Sequence, residues 1–152
     1  MQSLFDYIIS TENRYNNVVN IDEKKLIVNT EITERDYIFV NRIGTICSCP
    51  LTGNSTIREG DDVILHHNVF RRWYNAKGEE KNSKAFIDEN TYVVSLDQVF
   101  LYKSKDKWKA VDGFCFVKPI KQRDKLDQEV EQSCVGIVKY TDGVNSIGEL
   151  VG

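Results

Sequence analysis

The chain has 152 residues, and its 20 Lys and Arg side chains against 23 Asp and Glu side chains give a formal net charge of −3. This length leaves room for one domain or two small ones, and 41% hydrophobic residues argues against general disorder. With a net charge this close to zero, the protein lacks the overall positive potential that is typical of a dedicated nucleic-acid binder, although a local basic patch is still compatible with it. No apolar run approaches the roughly 20 residues that a membrane-spanning helix needs.

The start of the chain and its cysteines bear on the compartment. Residues 1–6 lack the basic segment and following apolar stretch that open a signal peptide. The four cysteines show no metal-ligand spacing, and without a secretory signal they are expected to stay reduced. We therefore expect a cytoplasmic protein, in the host cytoplasm if a phage encodes it, with no membrane partner.

Residues 1–21 show the least regular pattern and are predicted to form an N-terminal arm, in which residues 4–9 are either a short helix or an edge strand. From Lys25 onward, short β-branched and apolar runs alternate with charged or Gly-containing turns. The predicted strands are the runs 26–32, 36–40, 43–49, 63–67, 86–87, 91–94 and 98–102. No segment longer than two turns shows a sustained helical period, so the sequence predicts an all-β protein, a small barrel or a sandwich.

An internal repeat divides the chain. The charged stretch 103–112 is predicted to be a connector, because the apolar alternation restarts at Gly113. In both halves a β-rich strand and a charged stretch precede a glycine that begins another strand. Gly44 and Gly60 are 16 positions apart, as are Gly136 and Gly152. We expect residues 113–152 to be a partial second unit, either because the chain is a piece of a longer tandem protein or because this half is a shortened appendage.

Four segments of the first half carry a resemblance to a known family. They are Leu26-Ile27-Val28-Asn29, Gly44-Thr45-Ile46, the run from Ile57 to Ile64 that contains Gly60-Asp61-Asp62-Val63, and Asp97-Gln98-Val99-Phe100-Leu101-Tyr102. In this order they resemble the GroES-type co-chaperonin barrel, which would span residues 22–102. The restart at Gly113 is similar to the chloroplast co-chaperonins, which carry two units in tandem. The run 70–74 is similar to divergent co-chaperonin-like proteins of tailed bacteriophages.

The resemblance implies a homo-oligomeric ring, usually of seven subunits, that caps a chaperonin ring and encloses a folding client. It implies no catalysis and no cofactor for this chain, because the chaperonin binds the ATP. The family contacts its partner through a loop between the first strand and the Gly-started strand. At that place this chain has Ile38, Phe39 and Val40, with the alternative that Ile38 and Val40 are ordinary strand residues.

The most unusual local composition is the run Phe70, Arg71, Arg72, Trp73 and Tyr74. Arginine and aromatic residues anchor oligomer interfaces, and the same types stack on bases and pair with phosphates in single-stranded nucleic acid. Acidic side chains at Glu79, Glu80 and Asp88 dilute the positive charge. We therefore favour an oligomer interface, and a nucleic-acid contact through residues 71–74 is the second interpretation.

No motif indicates an enzyme, a metal site or a bound cofactor. His66 and His67 are adjacent in a predicted strand, so their side chains point to opposite faces and are poorly placed to chelate one metal ion. Cys47 and Cys49 share a face and are predicted to be small core residues. The sequence thus predicts a co-chaperonin-like ring subunit that assists folding by binding. The alternatives are a small barrel that binds single-stranded nucleic acid, and a phage assembly or structural protein.

Overall fold

The computed structural model describes residues 1–27, 38–53, 56–123 and 129–142. The chain divides into two compact units, residues 1–100 and residues 101–152. The all-β prediction is confirmed, since the described residues form antiparallel β-strands with little helix, and none of their sheets closes into a barrel. No helix in these ranges is long and apolar enough to cross a membrane.

The first unit contains nine complete strands and the start of a tenth. They are β1 (Tyr7–Ser10), β2 (Val18–Ile21), β3 (Lys24–Ile27), β4 (Ile43–Ser48), β5 (Asp62–Leu65), β6 (Arg72–Tyr74), β7 (Glu80–Asn82), β8 (Phe86–Asp88), β9 (Thr91–Val94) and β10 (Val99–Ser104). A 3-10 helix over Leu96–Gln98 leads into β10, which continues into the second unit.

Strand β1 lies in the middle of the main sheet of the first unit, whose order is β5-β4-β1-β9-β8. Ile8 pairs with Ser48 of β4 on one side and with Val93 of β9 on the other. Tyr7, Ile8 and Ile9 are all buried, and because successive side chains alternate, both faces of the strand are covered. Residues 7–10, which the sequence analysis assigned to an N-terminal arm, are therefore part of the core sheet.

The core packs tightly around Phe70. Its ring is fully buried and meets the ring of Tyr92 edge to face, with 4.8 Å between the ring centroids. Gly44 of β4 lies beneath it, and a Cβ at that position would come within 3.4 Å of the Phe70 ring and 3.1 Å of the Ser10 carbonyl oxygen. Position 44 therefore leaves little room for a side chain, which explains why a glycine occupies a buried strand here.

Two hairpins of the first unit form separate two-stranded sheets, β2–β3 and β6–β7. Their turns use backbone conformations with positive φ, at Asp22 (φ +53°) and at Gly78 (φ +77°). The first unit thus combines a buried central sheet with two hairpins outside that sheet, and these hairpins carry the candidate sites.

The second unit is built from hairpins. The end of β10 pairs with β11 (Lys107–Ala110), so the expected connector of residues 103–112 contains a strand. β12 (Cys115–Arg123) pairs with β13 (Glu129–Thr141), and the Gly113 amide donates to Asp142 Oδ2 (2.9 Å) at the open end of this hairpin. The predicted second-copy segment that ends at Gly152 lies outside the described residues from position 143 onward.

Candidate functional site

The three residues predicted to contact a partner lie in three different environments. The side chain of Ile38 is 56% exposed, Phe39 is half-buried, and Val40 is a core residue with 2% exposure. Val40 forms a β-bridge with Tyr15, and the Asn16 amide donates to the Phe39 carbonyl oxygen at 2.7 Å. Among them, Ile38 has the side chain most available to a partner. The predicted loop residues 33–37 lie outside the described residues.

The hairpin β2–β3 carries exposed aliphatic side chains that were not predicted to form a binding site, although Leu26 and Ile27 lie in the predicted strand 26–32. Val18 pairs with Ile27 and Val19 pairs with Leu26. These four side chains are between 42% and 73% exposed. Cross-strand partners share a face and successive pairs alternate, so apolar groups lie on both faces of this ribbon. The available signal was the pair Val18-Val19 and the pair Leu26-Ile27 on either side of the turn at Asp22.

The run 70–74 does not act as one patch, because strand alternation separates its side chains. Phe70 is in the core, so its ring is not at the surface. Arg71 and Trp73 line a pocket on one side of the hairpin β6–β7. Arg72 and Tyr74 lie near Glu80 of the paired strand: an Arg72 Nη1 atom is 3.6 Å from its carboxylate, and the Tyr74 hydroxyl donates to it (3.3 Å). The predicted contact surface of residues 71–74 is therefore divided between two environments.

Arg14 and Tyr15 hold the base of this hairpin. Arg14 Nε donates to the Phe70 carbonyl oxygen (3.2 Å), and Arg14 Nη2 donates to Asn82 Oδ1 (2.7 Å). The Tyr15 hydroxyl accepts from the Arg72 amide (2.9 Å), while the Arg72 guanidinium lies 5.5 Å from the Tyr15 ring centroid. Arg72 thus has a structural role in the first unit, and Arg71 and Trp73 line the pocket.

The pocket has a volume of about 740 Å³ and combines an aromatic ring, two cations and two amides. Trp73 is 46% exposed and Lys84 is exposed, whereas Arg71 and Gln98 are half-buried. The lining residues that bear on its chemistry are Arg71, Trp73, Lys84, Asn68, Gln98 and Asp6. Lys84 follows the run 70–74 in the sequence and belongs to the same basic and aromatic segment, whereas Asn68, Gln98 and Asp6 were not predicted as site residues, because nothing in the sequence links these three positions to the run.

The histidine and cysteine residues do not form a metal site within the described part of the chain. His66 and His67 rings lie 4.3 Å apart, but the described residues contain no group of three or more His, Cys, Asp or Glu side chains placed to hold a metal ion. The prediction that Cys47 is a core residue is wrong: Gly44, Ile46 and Ser48 form the buried face of β4, which leaves Cys47 exposed.

Cys49 is the partly buried thiol of this segment. Its Sγ atom lies 3.5 Å from the Ile57 carbonyl oxygen. Burial raises the pKa of the Cys49 thiol, and the negative charges of Glu59 and Asp61 raise it further. Since the thiolate is the nucleophilic form, this environment lowers the reactivity of Cys49, and it offers no support for a catalytic thiol.

Comparison with known proteins gave no relatives. No family model, no curated protein and no solved structure matches the chain.

Proposed function

We propose that the protein is a co-chaperonin-like ring subunit that binds a chaperonin ring and performs no catalysis of its own. The observation that carries this proposal is a group of exposed aliphatic side chains on the hairpin β2–β3 and at Ile38. We call this group the docking surface and define it as Val18, Val19, Leu26, Ile27 and Ile38. The resemblance in the sequence implies the identity of the partner.

The docking surface exposes a large fraction of its aliphatic side chains to water, which is energetically unfavourable. Ile27 is 73% exposed, Ile38 is 56% exposed and Leu26 is 54% exposed. An isolated two-stranded hairpin is marginally stable in water, and exposed apolar groups gathered in one segment are typical of interaction sites. Covering such side chains contributes roughly 25 cal/mol for each Å² of apolar surface removed from water. A protein partner with an apolar groove would supply that cover.

Backbone hydrogen bonds and strand pairing link the segments that carry the docking surface. The Asn16–Phe39 hydrogen bond brings the residue after Ile38 next to the strand that leads into Val18. The pairing of Val18 with Ile27 then brings in the end of β3. In the sequence, Ile27 and Ile38 stand on either side of residues 28–37, and the GroES-type resemblance puts the contact with the chaperonin in this part of the chain.

The mechanism that follows is closure by binding. Each subunit would insert apolar side chains of the docking surface into a groove of the chaperonin, and the ring of subunits would close the cavity. Several identical contacts raise the overall avidity far above that of one contact. The resemblance implies a barrel for residues 22–102, whereas docking through the hairpin and Ile38 does not require a closed sheet.

The test is capture of the protein by a bacterial chaperonin ring in ATP, with Ile38→Ser and Ile27→Ser compared with the wild type. Loss of one buried isoleucine side chain is worth about 1.5–3 kcal/mol, so each variant should weaken the binding by at least about tenfold. Leu96→Ser is the matched control, because Leu96 is 47% exposed and belongs to the 3-10 helix. Equal capture of folded Ile38→Ser, Ile27→Ser and Leu96→Ser would contradict the proposal.

A further inference from the structure

A second candidate site, independent of the docking surface, is the pocket beside the hairpin β6–β7. Arg71 precedes β6 and Lys84 follows β7, and the pairing of Arg72 with Asn82 brings these two ends of the hairpin together. Trp73 is the next pocket-facing residue after Arg71. The pocket is therefore lined by two cationic side chains near the base of the hairpin and by the half-exposed indole ring of Trp73, which is two residues after Arg71 in the chain.

We propose that this pocket binds a nucleotide, with the base stacked on Trp73 and the phosphate held by Arg71 and Lys84. A tryptophan ring offers a flat surface on which any of the four bases can stack, because every base has a π-face. Guanidinium and ammonium groups are the side chains that pair best with phosphate. Lys84 makes no ion pair with any side chain in the described ranges, so its charge is available to a ligand.

The remaining polar lining suits the edge of a base. Asn68 and Gln98 both line the pocket, and a carboxamide can donate and accept in the same plane. Asp6 supplies an acceptor for an exocyclic amino group of the base. A volume of about 740 Å³ lies within the usual range of small-molecule pockets, roughly 300–1,000 Å³.

Charge limits how much of a nucleic acid the site can hold. The net charge is −3, and acidic side chains such as Glu79, Glu80 and Asp88 lie on or next to the same hairpin. A long phosphate backbone would meet these carboxylates, whereas one nucleotide unit needs only Arg71 and Lys84. The shared chemistry is a flat base joined to a phosphate, and its source is either a free nucleotide or one unit of a single strand.

The experiment is a calorimetric titration of the full chain with adenosine monophosphate and, separately, with a ten-nucleotide single-stranded oligoadenylate. We expect saturable binding of at least one probe. Lys84→Ala should lower its affinity about tenfold, because a charge-assisted hydrogen bond to phosphate is lost. Lys77→Ala is the matched control, since Lys77 is an exposed lysine near the tip of the hairpin and does not line the pocket.

The same titration tests the stacking contact. Trp73→Ala should reduce the affinity by about tenfold or more, whereas Tyr74→Ala, a similarly exposed aromatic residue outside the pocket, should leave it within about twofold. Equal affinity for the two probes would identify a free nucleotide as the ligand. Tighter, salt-dependent binding of the oligoadenylate would identify a single strand. Absence of binding at millimolar probe, or equal losses for Lys84→Ala and Lys77→Ala, would overturn the proposal.

Discussion

Arg14 provides the sharpest test of how the first unit is held together. Its side chain is 16% exposed and joins three parts of the chain: the carbonyl of Phe70, the amide of Asn82, and the rings of Phe86 and Tyr92. Arg14→Ala would remove both hydrogen bonds and leave a cavity at the base of the hairpin β6–β7.

The magnitude follows from these contacts. A hydrogen bond from a charged donor contributes about 1.5 kcal/mol at the lower end of its range, so the two bonds together contribute about 3 kcal/mol. The guanidinium lies 5.3 Å from the Phe86 ring centroid, and such a contact adds about 0.5–1 kcal/mol. The ion pair with Glu80 spans 3.9 Å and involves a 39% exposed carboxylate, so its contribution is about 0–1 kcal/mol. Arg14→Ala should therefore cost about 3.5–5 kcal/mol of unfolding free energy.

The assay is urea unfolding followed by Trp73 fluorescence in a Trp108→Phe background, because Trp73 then reports on the first unit alone. The urea midpoint should fall without a change in the denaturant slope. Arg14→Lys should lose an intermediate amount, since lysine keeps the charge and cannot make both directed bonds. Arg58→Ala, at an exposed arginine, should change the free energy of unfolding by less than about 0.5 kcal/mol. A loss below about 1 kcal/mol for Arg14→Ala, or one equal to that of Arg58→Ala, would refute this reasoning.

Two further predictions concern the second unit and the thiols. Gly136→Ala should disrupt the hairpin β12–β13, because the new Cβ would collide with the Val117 side chain and lie 2.9 Å from the Lys118 carbonyl oxygen. Faster amide hydrogen exchange in β12 would show this disruption, and unchanged exchange would contradict it. Cys49 should react with a thiol reagent more slowly than exposed Cys47 at pH 7, since burial raises the pKa of the Cys49 thiol and less thiolate is present. Mass-spectrometric mapping of the labelled sites measures both rates, and equal rates would contradict the prediction.

The sequence predicted the strands of the main sheet better than it predicted the sites. Alternation of apolar and polar residues identified β4, β5, β9 and β10, because one or both faces of these strands are buried. For β1 the sequence left a short helix and an edge strand open, because the three apolar residues Tyr7, Ile8 and Ile9 do not show that the strand lies in the middle of a sheet. The end of β3 lies within the predicted strand 26–32, but β2 and its pairing with β3 were missed, because exposed apolar residues give no burial pattern to detect.

The candidate pocket shows which information a single sequence lacks. The composition of the run 70–74 pointed to binding, and strand alternation could have separated Arg71 and Trp73 from Arg72 and Tyr74. The contribution of Lys84 depended on the register of β6 and β7, which fixes its place near Arg71. Asp6 and Gln98 come from distant positions that only the folded chain brings together.

The most direct test of the proposed function is the native mass of the full chain, measured alone and after mixing with a bacterial chaperonin ring in ATP. The proposal predicts a homo-oligomeric ring that adds to the chaperonin as a single unit and is released when ATP is withheld. A strict monomer whose mass does not change with chaperonin and ATP would contradict it.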